Sequence, residues 1–285
     1  MEIEKIGVIG AGSMGGGIAH LAATKGFEVI LTDVDQRFLD AARQRIGAQM
    51  DKDIARQKMT AEDKEKVLGK ITTTTTIEEF AAVDFVIEAV TEDLELKKDL
   101  FKKLDAICRP EVILATNTSS LSVTDIASAT SRPERVAGMH FFNPPQVMRL
   151  VEVVCGYQTS EDTKREIKEL AGKLGKTAVV CQKDTPGFIV NRILFAQFFE
   201  AIRILEEGVA TPEDIDTAVT LGLNYPMGPF QLMDFGGLDL AVYIGEYFFR
   251  ETKDMRWNPP HTLKSLVKAG RTGRKAGAGW YNYQK

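Results

Sequence analysis

Six residues near the start of the chain, Gly10-Ala11-Gly12-Ser13-Met14-Gly15, have the types and spacing of a loop that cradles phosphates. Gly10 permits the tight turn, Gly12 lets a pyrophosphate approach the backbone, and Gly15 lets a helix pack closely on a strand. The helix that follows offers unpaired N–H groups and a partial positive charge at its start. Such a motif alone is common, and a plain tight turn would use the same glycines. Here an apolar strand, Ile6-Gly7-Val8-Ile9, precedes it and a helix follows. Asp33 ends the second strand about 20 residues on, where a carboxylate binds a ribose 2′-hydroxyl. The same charge repels a 2′-phosphate, so the loop reads as an NAD site rather than an NADP site. Asp33 as a turn or N-cap residue is the simpler alternative.

Three further groups of residues could do chemistry. Thr116-Asn117-Thr118-Ser119-Ser120 follows the apolar run Val112-Ile113-Leu114-Ala115. Polar groups just past the carboxyl end of a strand lie where doubly wound sheets bind ligands, so Asn117 or Ser119 could reach a substrate or the nicotinamide. They could equally cap a helix beginning near Val123. His140 is expected to end a strand in Met139-His140-Phe141-Phe142-Asn143-Pro144-Pro145, where the prolines stop continuation. Glu152 stands in Leu150-Val151-Glu152-Val153-Val154, a strand apolar on both faces, where a carboxylate is expensive without a partner. His140, on the preceding strand, is the chemically sensible partner, and the two would form a general base with its orienting group. A satisfied core histidine and a structural carboxylate are the bland readings. Asn191, in the first turn of an apolar helix after Thr185-Pro186-Gly187-Phe188, either caps that helix or hydrogen-bonds into a domain cleft.

The elements that must position these groups alternate. Strands are expected at 3–9, 28–32, 71–74, 84–88, 112–115, 135–139, 150–155 and 177–180, with helices at 14–25, 36–57, 93–108 and 161–174. Strand–helix alternation implies a mostly parallel sheet covered on both faces. The helix after Asp35 is unusually long, with Phe38, Ala42, Ile46, Met50 and Ile54 as its apolar stripe, and it forms a helical hairpin inserted into the regular unit. Beyond Lys183-Asp184-Thr185-Pro186-Gly187 no strand is expected. Residues 188–205 read as a helix apolar round most of its circumference, and Thr211-Pro212-Glu213-Asp214 as a helix start with Thr at N-cap and Pro at N1. The fold class is therefore α/β: an N-terminal Rossmann-type doubly wound sheet with the inserted hairpin over 1–184, then a smaller all-helical domain over 185–285.

Composition narrows the function classes. The 285 residues are 44% hydrophobic and 27% charged, ordinary for a globular chain. With 36 Lys plus Arg against 40 Asp plus Glu, the net charge of −4 provides no global field for nucleic acid or an anionic membrane surface. Cys108, Cys155 and Cys181 are odd in number and far apart, which suits buried thiols in a reducing compartment. His20, His140 and His261 show no zinc spacing, so no metal is expected. No run of about 18 apolar residues exists to span a membrane. The opening MEIEKIGVIG reads as a strand and not a secretory leader, so a cytoplasmic location is expected.

The segments VIGAGSMGGGIA (8–19), FVIEAVTED (85–93), ATNTSSLS (115–122), GMHFFNPPQVMRLVEVV (138–154), TPGFIVNRIL (185–194), NYPMGPFQLMDFGGLD (224–239) and GRKAGAGWYNY (273–283) together resemble the 3-hydroxyacyl-CoA dehydrogenase family, most of all its bacterial 3-hydroxybutyryl-CoA members. The similarity covers essentially the whole chain. It implies NAD-dependent interconversion of an (S)-3-hydroxyacyl-CoA and a 3-oxoacyl-CoA by a homodimer joined through the C-terminal domain. It implies His140 as the catalytic histidine, Glu152 as its carboxylate, Ser119 at the reacting oxygen and Asn191 on the substrate side. Asn143 falls near the nicotinamide amide and the thioester, and Glu92, Lys97 and Lys275 match residues that contact NAD. Lys52 and Arg56, four apart on one helix face, fall in the family's coenzyme A-binding hairpin, though a solvated helix face would look the same. Lys275 has the corresponding alternative of a surface lysine. Tyr225 stands where a histidine is frequent, and Gly277-Ala278-Gly279 lacks a common central lysine. A β-hydroxyacid dehydrogenase of the 3-hydroxyisobutyrate type, which uses a lysine base, and a non-catalytic relative are the competing readings.

Overall fold

The computed structural model describes residues 2–283, which form two compact units, one ending at Thr185 and the next beginning at Pro186. The first is built on an eight-stranded sheet of order β3-β2-β1-β4-β5-β6-β7-β8. Its strands are β1 (Lys5–Ile9), β2 (Glu28–Thr32), β3 (Ile71–Thr74), β4 (Phe85–Glu88), β5 (Ile113–Thr116), β6 (Val136–Phe141), β7 (Leu150–Val154) and β8 (Thr177–Cys181). Neighbours run parallel except β6 and β7. Strand order reverses between β1 and β4, which makes the carboxyl ends of these two strands, Ile9 and Glu88, the topological switch point where such sheets bind ligands.

Apart from the first, which follows the glycine loop, the helices of this unit begin at side-chain caps. Their ranges are α1 (Ser13–Thr24), α2 (Gln36–Ala55), α3 (Ala61–Gly69), α4 (Leu94–Ile107), α5 (Val123–Ala127) and α6 (Glu161–Lys173). Asp35, Asp93, Ser122 and Ser160 each accept a backbone N–H of the first turn, and Thr60 with Asp63 forms a reciprocal capping box. The cap of α5 is Ser122, so the Thr116–Ser120 cluster is not used for that purpose. Helix α2 buries Leu39, Ala42, Ile46 and Met50, while Phe38 is 52% exposed and Ile54 is half-buried. A strict four-residue repeat drifts by about 40° per step on a helix of 3.6 residues per turn, so the buried stripe shifts from Phe38 to Leu39.

Two boundaries differ from expectation in ways that matter for the site. Strand β6 runs on through Phe141, so His140 is inside the strand and not at its end. The cause is tertiary: antiparallel pairing with β7 extends the ladder through His140↔Glu152 and Phe141↔Val151. Helix α7 (Val190–Glu206) starts two residues late, because Gly187 and Phe188 both hold positive φ angles of +78° and +48°.

The second unit continues with α8 (Pro212–Gly222), α9 (Pro229–Gly236), α10 (Leu238–Thr252) and α11 (His261–Lys268). Thr211 caps α8 with Pro212 behind it. The core is largely aromatic, with Phe195, Phe198 and Phe199 of α7 meeting Phe230, Phe248 and Trp257. Gly245 lets α10 come close to α7, since a Cβ there would lie 2.5 Å from the Phe199 ring. The apolar girth of α7 is thus mostly covered within its own unit, with Ile193 left 62% exposed. The segment after α11 has a short 3₁₀ turn and the isolated bridges Gly273↔Ala278↔Asn282, and is held by buried carboxylates. Asp234 accepts from the amides of Trp280 and Tyr281 at 2.8 and 3.0 Å and from the Tyr283 hydroxyl at 2.9 Å. Asp216 accepts from the amides of Phe230 and Gln231 and from the Tyr281 hydroxyl.

Replacing Asp234 by Ala leaves three donors without their acceptor. A loss of about 3 kcal/mol is expected, because each orphaned buried donor is costly. Denaturant titration measures it, and amide exchange at Trp280 and Tyr281 should accelerate. Unchanged protection there would show that the carboxylate does not anchor the segment.

Candidate active site

The glycine loop fills the switch point. Gly10 has a φ of +96°, and a Cβ on it would lie 2.5 Å from the Ala89 carbonyl oxygen. A Cβ on Gly15 would lie 1.7 Å from the Gly10 oxygen, so only glycine lets α1 pack this closely on the loop. Gly12 differs: a Cβ there would meet nothing within 4 Å. Gly12 is the N-cap of α1 and makes no side-chain cap, and Gly12 and Ser13 are exposed. The first N–H groups of α1 therefore face open space that can admit a pyrophosphate, which is the fit NAD requires. Met14 is instead partly packed on the core. Ala11 is clamped on both sides, its N–H donating to Asp33 Oδ2 at 2.6 Å and its oxygen accepting from Arg45 Nη2 at 2.6 Å. Asp33 Oδ1 also accepts from the Val34 N–H. The expected ribose ligand thus also sets the loop's shape.

Beside the loop lies a buried network that residue types alone reveal only in part. Glu88, the last residue of β4, is fully buried, and Lys97 of α4 is 1% exposed. Glu88 Oε1 accepts from Lys97 Nζ at 2.6 Å and from the Val90 N–H at 2.7 Å, while Oε2 accepts from the Thr116 hydroxyl at 2.6 Å. The Lys97 ammonium lies 3.3 Å from Glu92 Oε2. Glu92 Oε1 accepts from the Thr118 hydroxyl at 2.5 Å, the Ser119 N–H at 2.8 Å and the Ser119 hydroxyl at 3.3 Å. Burial pushes the Glu92 carboxyl up, but the Lys97 ammonium with the Thr118 and Ser119 hydrogen bonds outweighs it, holding the group below its ordinary 4.5. Glu88 is absent from the candidates drawn from sequence. Its signal was the one used for Glu152: a carboxylate in an apolar strand, here Phe85-Val86-Ile87-Glu88.

On the next strands His140 Nδ1 is 2.7 Å from Glu152 Oε2, with side chains 7% and 0% exposed. The two residues are direct partners across the β6/β7 ladder, so backbone register points both side chains to one face. The His140 ring meets Phe142 at 4.6 Å between centroids. Asn117 ties this pair to the serine turn: its N–H donates to the Glu88 oxygen at 2.7 Å, and its Oδ1 accepts from the Phe141 N–H at 2.9 Å.

A cleft of about 470 Å³ opens at the glycine loop, lined by Gly12, Ser13, His20, Arg45, Arg56 and Lys58 among others. Asn143 lines it too, on a loop held by Lys176, whose Nζ donates to the oxygens of Pro145 at 2.6 Å and Met148 at 2.7 Å. Lys52 does not line it. Helix α2 ends at Ala55, and Arg56 as its C-cap reaches the cleft while Lys52 stays on the exposed face. The cleft adds Arg45 and Lys58, which sequence reasoning did not single out. Asn191, half-buried in the first turn of α7, and Lys275, exposed on the short 3₁₀ turn Arg274–Ala276, belong to the second unit. Among the described residues no group of His, Cys, Asp and Glu is arranged to hold a metal, and no helix is long and apolar enough to cross a membrane.

Comparison with known proteins identifies the family. Residues 5–185 match the family model of the 3-hydroxyacyl-CoA dehydrogenase NAD binding domain, and residues 187–283 that of the same family's C-terminal domain. The chain belongs to the 3-hydroxyacyl-CoA dehydrogenase family, NAD-dependent oxidoreductases. It is 48% identical over 279 residues to a probable 3-hydroxybutyryl-CoA dehydrogenase of Deinococcus radiodurans, covering 98% of this chain and 100% of that one. With the corresponding probable enzyme of Bacillus subtilis it shares 46% over 285 residues, covering 100% and 99%. The crystal structure of (S)-3-hydroxybutyryl-CoA dehydrogenase from Ralstonia eutropha superposes with a TM-score of 0.96 at 41% identity, over 100% of both chains.

Because Glu92 is held ionised in the folded state, its stabilisation is full at neutral pH and is lost as pH falls through its lowered value. Glu92→Gln is therefore expected to melt below the parent at about pH 7, with the gap closing toward about pH 3. Melting curves at the two pH values check this, and a constant gap would contradict it.

Proposed function

We propose that this protein interconverts an (S)-3-hydroxyacyl-CoA, foremost 3-hydroxybutyryl-CoA, and the matching 3-oxoacyl-CoA, with His140 and Glu152 as the acid–base pair. The observation that carries the reading is the 2.7 Å contact between His140 Nδ1 and a Glu152 carboxylate that has no solvent exposure. With Nδ1 engaged by Glu152, proton exchange with substrate falls to Nε2. In the oxidative direction His140 takes the C3 hydroxyl proton, and Glu152 orients the ring and steadies the imidazolium that forms. Bound NAD accepts the hydride that leaves C3. Ser119 holds the reacting oxygen, and Asn191 and Asn143 are assigned to the thioester end. In reduction the imidazolium returns the proton to the C3 oxygen.

Cofactor roles go to Gly10, Ala11, Gly12, Ser13, Met14 and Gly15, to Asp33, to Glu92, Lys97 and Asn117, and to Lys275. Asp33 supports NAD over NADP by repulsion of a 2′-phosphate. Arg56, with Arg45 and Lys58, supplies cations where coenzyme A phosphates would bind. Lys52, outside the cleft, is the weaker member of the original pair. The feature that supports a cytoplasmic location is the cysteine usage, three buried residues odd in number and far apart in the sequence. A homodimer through the C-terminal unit is supported less by α7 than by Leu221, Phe235, Leu240 and Tyr243, exposed on α8 to α10.

Turnover of acetoacetyl-CoA with NADH tests the reaction. His140→Ala is expected to lose about 10²–10⁴-fold in kcat, and Glu152→Gln should be non-additive with it, while NADH binding persists. A His140→Ala enzyme retaining more than about a tenth of the parent kcat would assign the base elsewhere. Light scattering at micromolar concentration should return twice the chain mass, and the mass of one chain would remove the dimer.

A further inference from the structure

We propose that Glu88 is a positioning residue for the Ser119 turn: a buried carboxylate on β4 that sets the serine's place through two hydrogen-bonded arms. The inference rests on the reading of Ser119 as the group at the reacting oxygen. One arm runs from Glu88 Oε1 to Lys97 Nζ at 2.6 Å and on to Glu92 Oε2 at 3.3 Å. The other oxygen of Glu92 then receives the Thr118 hydroxyl and the Ser119 N–H. The second arm runs from Glu88 Oε2 to the Thr116 hydroxyl at 2.6 Å, whose oxygen accepts the Thr118 N–H at 3.2 Å. The backbone oxygen of Glu88 holds the Asn117 N–H at 2.7 Å. Thr116, Thr118 and Ser119 are thus gripped from both sides by one side chain and its partners, and Asn117 by the backbone of the same residue.

Stability alone does not account for this arrangement. A buried ion pair such as Glu88–Lys97 is weak evidence for a stabilising device, because desolvation offsets most of the Coulomb attraction. What the cluster does define is direction. Lys97 bridges the two glutamates, and Glu92 in turn accepts the Ser119 N–H. Glu88 is far enough along this relay to act on the serine only through other groups.

The test is a kinetic cycle on the full chain with acetoacetyl-CoA and NADH, comparing the parent, Glu88→Gln, Ser119→Ala and the double variant. Glutamine keeps the volume but removes the charge that pairs with Lys97, and with its amide oxygen on Lys97 and the Val90 N–H its nitrogen turns to Thr116, which reverses the hydrogen bond that the hydroxyl donates to Glu88. Glu88→Gln is expected to lower kcat about tenfold to a hundredfold, the scale of a small misplacement of a reacting group, with KM for the acyl-CoA changed less. In the Ser119→Ala background the same substitution should cost less than about threefold, because the group it positions is gone. Equal losses in both backgrounds overturn the positioning role and leave the functional reading intact. A parent without turnover overturns the functional reading, Ser119→Ala equal to the parent overturns the assignment of Ser119 to the reacting oxygen, and either takes the role of Glu88 with it. Should Glu88→Gln fail to fold, Thr116→Val cuts the second arm while keeping the ion pairs. It must show the same dependence on Ser119, and its additivity would equally overturn the proposal.

Discussion

A carboxylate inside a β-sheet must be given a partner, because leaving the anion unpaired in an apolar interior costs several kcal/mol. Two glutamates impose that condition here, Glu88 on β4 and Glu152 on β7, both with no exposure. Each is met by a basic side chain from elsewhere in the chain, Lys97 and His140 respectively. In satisfying the first, the fold brings α4 and the turn after β5 to the end of β4. In satisfying the second, it selects the register in which His140 and Glu152 are opposite each other. A shift of one residue in that ladder would put the two side chains on opposite faces of the sheet. The chemistry and the sheet register are therefore one requirement.

The glycine loop obeys a different constraint, that of space. Gly10 and Gly15 are crowded by backbone, so the loop has one shape, while Gly12 faces an opening. Asp33 and Arg45 then hold Ala11 by its two backbone groups. The residue expected to recognise a ribose and the residue nearest the phosphate cradle on α2 both stiffen the loop, which lowers the entropy lost when a cofactor is ordered there. The long helix α2 has a second role in consequence: besides covering the sheet, it carries Arg45 and Arg56 to the same cleft.

The C-terminal unit applies the carboxylate condition without any cation. Asp216 and Asp234 are nearly buried and are paired with backbone N–H groups and tyrosine hydroxyls. Burial raises the Asp216 carboxyl despite these bonds. The result is a segment with almost no regular structure that is nonetheless tied to α8 and α9. The aromatic core beneath it explains why α7 could look, from its residues alone, like a helix in need of a second protein. Phe195, Phe198 and Phe199 find partners in Phe230, Phe248 and Trp257.

By itself the sequence determined what could be read within one element at a time. The glycine spacing after an apolar strand, the Thr211-Pro212 helix start, the strand–helix alternation and the change of pattern near Pro186 are all local, set by residue type and by periods of 2 and 3.6. Glu152 was legible for the same reason, as a charge in a strand apolar on both faces, and Glu88 carried the identical mark at the end of Phe85-Val86-Ile87. Only the tertiary structure decided what those charges meet. Whether Glu88 faces Lys97 or solvent depends on how α4 returns across the sheet, and whether His140 ends a strand or pairs within it depends on a neighbouring strand running the other way. Likewise Arg56 lines the cleft and Lys52, one turn earlier on α2, does not. Register and helix ends are settled by contacts between segments distant in the chain, and no local pattern encodes the far side of a contact.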